Sequence, residues 1–166
     1  MAQSARRFEW FGLFNKTKKS NNGIITGIDS EYSGTLNWVV DLDKSWHMIH
    51  YLLTGSAWGG ARPASSLLTA TPLSDIDLRV GPALALTSGE VKIFSRFLSS
   101  LDIRDLKKNI DVEKMVENEI YMVHATSFGD DDTCDDWEYV EYNFNVLKEF
   151  MSRTALTGKG IIIHLA

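Results

Sequence analysis

The sequence is poor in cysteine, in proline and in long apolar runs. It has one cysteine and three prolines among 166 residues, and a single thiol excludes an intrachain disulfide. No stretch approaches the ~20 consecutive apolar residues that a transmembrane helix requires. The first 20 residues carry charges throughout and lack the apolar core of a secretory signal. We therefore expect a soluble, cytoplasmic protein without a transmembrane segment.

Basic residues are scarce beyond position 20. Residues 1–20 hold five of the 17 lysines and arginines but only one of the 22 acidic residues, so residues 21–166 carry 12 bases against 21 acids. Binding to nucleic acid depends largely on lysine and arginine neutralising the phosphates. A body with a net charge of −9 is therefore not expected to bind nucleic acid, and it favours a basic protein as partner.

The composition, 44% hydrophobic and 23% charged, is typical of one globular domain. We divide the chain into a basic, aromatic N-terminal segment, residues 1–20, and a single α/β domain, residues 21–166. Phe8, Trp10, Phe11 and Phe14 are spaced to share one side of a short helix. Docking of this segment on the domain is the expected arrangement, and attachment to an anionic membrane is the alternative.

Hydrophobic periodicity predicts amphipathic helices packed against a small sheet. Strands are predicted at residues 23–29, 35–41, 82–86, 120–125 and 161–165. The first two form a hairpin, and the last, a continuous apolar run, is a central strand buried on both faces. Helices are predicted at residues 44–54, 91–101, 102–109, 111–117 and 137–152, and residues 56–81 form a long connection. The predicted fold class is therefore α/β, a single compact mixed sandwich.

Capping residues mark the ends of two of these helices. Thr87 and Glu90 form a capping box before the second helix, whose predicted apolar arc includes Ile93. Asp43 is the expected N-cap of the first helix and Gly55 its expected C-terminal residue.

The first helix lies in a segment that resembles a known family. Residues 42–55, Leu-Asp-Lys-Ser-Trp-His-Met-Ile-His-Tyr-Leu-Leu-Thr-Gly, resemble the hallmark of the YfbM-like family (DUF1877), bacterial proteins of unknown function. Further similar segments follow in order: Ser56-Ala-Trp-Gly-Gly60, Gly81-Pro-Ala, Leu86-Thr-Ser-Gly-Glu-Val91 and Glu119-Ile-Tyr121. The resemblance runs from about residue 39 to the C-terminus. It implies a compact α/β sandwich and no particular reaction.

A cluster of polar side chains lies opposite the apolar face of the first helix, and it includes His47 and His50. Histidines three residues apart on a helix point in similar directions, so they can share a metal ion or act as an acid–base pair. A third metal ligand would come from His124, His164 or Glu119. The alternative is structural, with His50 hydrogen-bonded at the edge of the core and His47 exposed to solvent.

These residues define a candidate pocket around the first helix. Trp58, on the Trp58-Gly59-Gly60 loop, either forms one wall of this pocket or caps the core. The full candidate set is Trp46, His47, His50, Tyr51, Thr54, Trp58 and Tyr121. No metal and no cofactor is predicted, because the acidic loop 130–136 lacks the ligand alternation of a calcium loop and the chain has no phosphate-binding glycine pattern.

Two functions remain open. The first is a non-enzymatic protein-binding or regulatory module, of the immunity type, whose acidic surface meets a basic partner. The second is a small hydrolase with His47 and His50 as acid–base groups in a cleft near Trp58 and Tyr121. The sequence does not decide whether the protein is an enzyme.

Overall fold

The computed structural model describes residues 39–73, 81–125, 127–128 and 136–165, together with the backbone of residues 8–11. The strands are β1 (Phe8–Phe11), β2 (Thr71–Pro72), β3 (Leu84–Leu86) and β4 (Ile161–Leu165). The helices are α1 (Trp46–Thr54), α2 (Ser88–Ser100), α3 (Ile103–Lys107), α4 (Val112–Glu117) and α5 (Asp136–Leu156). Nearly all of the predicted hairpin at 23–41, and the acidic loop up to residue 135, lie outside the described residues.

The four strands form one antiparallel sheet in the order β1-β4-β3-β2. The apolar strand β4 lies at its centre, as predicted, pairing Leu165 with Phe8 on one side and Ile163 with Leu84 on the other. Ile161 and Ile163 are buried, whereas Ile162 between them is only half-buried. One face of β4 therefore faces the core and the other is only partly covered, so the prediction that both faces are buried is wrong. Burial of one face is the usual arrangement in an antiparallel sheet.

The strand β1 corrects the prediction for the N-terminal aromatics. Phe8–Phe11 are extended and paired with β4, so the short helix expected over these residues is wrong. The edge of β4 offers a row of backbone donors and acceptors, and pairing with it stabilises an extended conformation. A helix as short as the one suggested by the four aromatic residues is only marginally stable alone. Backbone pairing joins these four residues to the sheet of the body, while the division at residue 20 stays a prediction.

The helices that carry local end signals begin where the sequence predicts. Glu90 N–H donates to Thr87 Oγ1 at 3.3 Å and Thr87 N–H donates to Glu90 Oε2 at 2.8 Å, which completes the capping box of α2. Asp102 and Asp111 cap α3 and α4 through their carboxylates. The first turn of each of these short helices is therefore capped by a residue adjacent in sequence.

The core lies between the sheet and the helices, and α2 packs mainly against α5. Val91, Phe94 and Leu98 of α2 are fully buried in the same cluster as the apolar stripe of α5. Ile93 is 56% exposed, although the predicted apolar arc included it. Its position is 100° around the helix from Phe94, so it lies at the margin of the buried face. Among the described helices, none is long and apolar enough to cross a membrane.

Residues 119–123 do not form the predicted strand. They turn sharply, because Glu119 and Met122 have left-handed backbone angles, with φ of 54° and 67°. Ile120 and Val123 are buried from this turn. Their three-residue spacing suits a turn that inserts two apolar side chains into the core, whereas a strand would have placed them on opposite faces.

The long connection between α1 and β3 is fastened to α2. The guanidinium of Arg62 donates to the carboxylate of Glu90 and to the carbonyl oxygen of Thr69. The connection then contributes β2, a two-residue strand that the sequence does not reveal, with Thr71 paired to Ala85. Glu90 thus serves both the capping box and this attachment.

Replacing Thr87 with alanine removes the hydroxyl that caps α2. We expect Thr87→Ala to lower the free energy of unfolding by about 1 kcal/mol, because the Glu90 amide loses its partner at the helix start. Urea denaturation followed by circular dichroism measures this loss. Thr87→Ser keeps the hydroxyl and is the matched control, which should stay within about 0.5 kcal/mol of the parent. Equal losses in both variants would contradict the capping role.

Candidate functional site

The helix α1 is buried almost all round. Seven of its nine residues are buried, from Trp46 to Leu52, so both the apolar face and the predicted polar face are covered. His47 is 1% exposed and His50 is fully buried. The expectation that His47 faces solvent is therefore not met. Helical periodicity describes the polarity of a face, but it does not reveal which loops cover that face.

A tight turn and α5 hold the start of α1. Ser45, not the predicted Asp43, is the N-cap residue, and its hydroxyl donates to the Leu42 carbonyl at 2.6 Å. Asp43 has a left-handed φ of 46° and accepts a hydrogen bond from the Tyr139 hydroxyl at 2.9 Å. That hydroxyl in turn accepts from Lys44 N–H at 3.0 Å. Burial, together with the hydrogen bond to Asp43, raises the pKa of Tyr139 to about 12.

His47 connects α1 to two loops through its two ring nitrogens. Nδ1 accepts a hydrogen bond from Tyr121 N–H at 3.0 Å, and Nε2 lies 2.9 Å from the Ala57 carbonyl oxygen. A backbone amide only donates and a carbonyl only accepts, so these partners assign the neutral tautomer with its proton on Nε2. The imidazole therefore holds loop 56–60 and turn 119–123 in place around α1.

These bonds limit what His47 can do chemically. A general base needs a free lone pair within reach of a substrate proton. The Nδ1 lone pair already accepts from Tyr121, the Nε2 proton faces Ala57, and the side chain has no appreciable contact with solvent. Acid–base catalysis by His47 would require the bond to Tyr121 to break first.

His50 lies one helical turn further on and has a different environment. Within the described part of the chain, neither ring nitrogen meets the geometry of a hydrogen bond. Burial, and to a smaller extent the neighbouring His47, lower the pKa of His50 from 6.5 to about 4, although the Gly59 backbone acts in the opposite direction. His50 is therefore uncharged near neutral pH.

The possible third ligands do not complete a metal site. His124 is exposed, and Glu119 lies at the surface on the turn that His47 holds. Among the described residues, no three histidine, cysteine, aspartate or glutamate side chains are grouped so that they could hold a metal ion. The two histidines of α1 thus act in this part of the chain as packed imidazoles.

Three aromatic rings meet at His47. The Trp46 ring stacks on the imidazole with centroids 4.7 Å apart and planes at 13°, and the Trp58 ring lies 4.7 Å away at 42°. The two indoles are 5.9 Å apart. Trp46 is 1% exposed, whereas Trp58 is 54% exposed. The cluster therefore begins in the core and ends at the surface, with Trp58 as its outer member.

Two of the predicted pocket residues lie elsewhere. Tyr51 and Thr54 line a groove of about 530 Å³ between the C-terminal end of α1 and the connection from α3 to α4. Asn109 links the two walls, because its side-chain amide donates to the Leu52 carbonyl at 3.1 Å. Lys108, Asp111 and Lys114 also line this groove, and no sequence pattern had pointed to them.

The structure thus places the seven predicted residues in three different surroundings. It brings together Trp46, His47, Trp58 and the backbone of Tyr121, while Tyr51 and Thr54 face the groove and His50 stays in the core. That these residues bind a ligand stays a prediction. The partners of His47 are backbone groups of Ala57 and Tyr121, which sequence analysis missed because every residue other than proline carries such groups.

Replacing His47 with alanine removes both loop attachments. We expect His47→Ala to lower the free energy of unfolding by about 2 kcal/mol or more, because two buried backbone groups lose their partner. Hydrogen exchange of the Tyr121 amide should also accelerate. His124→Ala, at an exposed histidine, is the matched control and should change stability by less than about 0.5 kcal/mol. Unchanged protection of Tyr121 in His47→Ala would contradict the bridging role.

The lowered pKa of His50 makes stability depend on pH. The unfolded chain binds a proton at His50 below about 6.5, while the folded chain resists it down to about 4. Stability from this group is therefore present above pH 6.5 and is lost as the pH falls towards 4, at up to about 1.4 kcal/mol per pH unit.

The pH dependence of stability is tested by urea denaturation between pH 7 and pH 4.5. The free energy of unfolding is measured for the parent and for His50→Leu, whose side chain cannot titrate. We expect the parent to lose stability more steeply than the variant across this range, since carboxylates contribute equally to both. Parallel pH profiles would show that His50 is accessible to protons in the folded state.

Comparisons with known proteins agree with this fold. Residues 13–164 match the family model described as a domain of unknown function, DUF1877. Among solved structures, the chain is similar to the protein of unknown function YfbM from Escherichia coli, with a TM-score of 0.65 and 19% identity over 96% of this chain and 99% of that one. At this identity the likeness shows the fold alone, and it confirms the expected mixed α/β class. No functionally curated protein matches the chain. Because the family model covers most of its length, this chain belongs to the DUF1877 family.

Proposed function

We propose that the protein is a non-enzymatic module that binds a basic protein partner, of the regulatory or immunity type. The observation that carries this proposal is the use of His47. His47 is one of the two histidines that the sequence offers as acid–base groups, and both of its nitrogens contact backbone groups of two loops. Its effect is to hold two surface loops in place, which favours a binding surface, and it leaves neither nitrogen free to exchange a proton with a substrate.

The charge of the body supports a basic partner. Residues 21–166 carry a net charge of −9. Several surface cations are already paired with neighbouring acids, such as Lys114 with Asp111 at 2.7 Å and Lys108 with Asp105 at 2.5 Å. The exposed carboxylates of Glu113, Glu117 and Glu119 therefore face solvent beside largely neutralised lysines. Such a surface attracts a positively charged protein and repels an acidic one.

A partner bound in this way should be captured and released according to ionic strength. The purified chain is immobilised and exposed to extract from its native source at about 0.01 M salt, where charges interact over about 30 Å. Captured proteins are identified, purified and measured again with the chain alone. We expect a basic protein whose association rate falls by at least about tenfold on raising the salt to about 1 M.

The control is a chain in which Glu113, Glu117 and Glu119 are all replaced by glutamine, which preserves the shape and removes three charges. This variant should associate more slowly at low salt and equally fast at high salt. An acidic partner, or an affinity that does not respond to salt, would overturn the proposal.

A further inference from the structure

Trp58 is an exposed aromatic ring with a fixed support. One side of its indole lies against the His47 ring, and 54% of the residue remains open to solvent. Its loop is held at several points: Ala57 through Nε2 of His47, Gly59 N–H through the Ser56 hydroxyl at 3.1 Å, and Ser56 N–H through the Thr54 hydroxyl at 3.1 Å. The ring therefore loses little conformational entropy when a ligand covers it.

The turn at residues 119–123, which Nδ1 of His47 holds, carries an exposed carboxylate and an exposed thioether. Glu119 and Met122 both have a left-handed backbone, with φ of 54° and 67°, and both are exposed. Residues other than glycine adopt this conformation rarely, at a cost of about 1 kcal/mol or more, and it persists where the surroundings impose it. Here the imposing contacts include Glu119 N–H to the Val116 carbonyl at 3.0 Å and Tyr121 N–H to His47.

We infer that Trp58, Glu119 and Met122 form one face, the two-loop face, that receives an arginine side chain of the basic partner. A guanidinium is planar and weakly hydrated, so it stacks on an indole more favourably than a lysine ammonium does. The carboxylate of Glu119, on the adjoining turn, complements its charge. Tryptophan and methionine are enriched at protein interfaces, and tryptophan is among the commonest anchors of binding energy.

This inference rests on the proposed function, because it names the group that the acidic module recognises. The two remain separable. The proposed function requires only long-range attraction between an acidic body and a basic protein. The two-loop face requires contact between a guanidinium and the Trp58 ring.

The test uses a pair of synthetic peptides of alternating arginine and glycine, one of which carries citrulline in place of every arginine. Citrulline has nearly the same shape and no charge. Each peptide is titrated into the isotopically labelled chain, and the indole N–H signal of Trp58 is followed, assigned through Trp58→Phe. We expect the arginine peptide to shift this signal and the citrulline peptide to bind at least about tenfold more weakly.

Two pairs of variants locate the contact. Trp58→Ala should weaken binding of the arginine peptide by about tenfold, whereas Tyr142→Ala, at an aromatic residue of α5 that is 68% exposed, should leave it unchanged. Glu119→Gln should weaken it more than Glu113→Gln, which removes an equal charge from α4. If Trp58→Ala does not fold, the indole shift in the parent chain decides the question.

Three outcomes would overturn the two-loop face: no shift of the Trp58 signal, equal binding of the two peptides, or equal affinity of Trp58→Ala and Tyr142→Ala. If the native partner nonetheless binds with strong salt dependence, the proposed function stands and only this face is wrong. If the partner does not respond to salt and the arginine peptide does not shift the Trp58 signal, both proposals fail.

Discussion

The buried imidazole of His47 is the interaction on which the surroundings of α1 depend. Partners for its nitrogens make a buried polar ring less costly, since an unsatisfied buried polar group costs about 1–3 kcal/mol. The partners come from two loops that are distant in sequence, one following α1 and one following α4. Their positions are therefore determined jointly, because moving either loop would leave a nitrogen of the same ring unsatisfied.

This constraint also explains why the first helix is central and not peripheral. Its apolar face joins the main core, and its opposite face is covered by the Trp58 loop and the turn after α4. The aromatic cluster extends the core outward along this side, from the fully buried Trp46 to the half-exposed Trp58. The packed core is thus continuous with one surface residue, Trp58, and its close packing restricts the movement of a ring that is accessible to solvent.

How much of this the sequence could predict depends on how local the determining contacts are. The capping box of α2, the aspartate caps of α3 and α4 and the apolar strand β4 are encoded within a few residues of one another, and the structure confirms them. The strand β1 and the turn at 119–123 depend on partners far along the chain, so local periodicity misassigned both. The structure brings Trp46, His47 and Trp58 into contact, while their role as a site stays a prediction. The burial of the histidines follows from loops that helical periodicity does not describe.

The position of β4 has a consequence for how the chain acquires its structure. This strand follows every other described element, yet it lies between β1 and β3 and supplies hydrogen bonds to both. In the order of synthesis β4 comes after β1, β2 and β3, so the sheet lacks the strand between β1 and β3 until β4 has been made. Until then β1 and β3 each have an open edge, and closing the sheet joins β4 to β1, which is distant in sequence, so that this contact forms slowly. Completion of the sheet is thus the step at which the nascent protein is most exposed to pairing with the wrong neighbour.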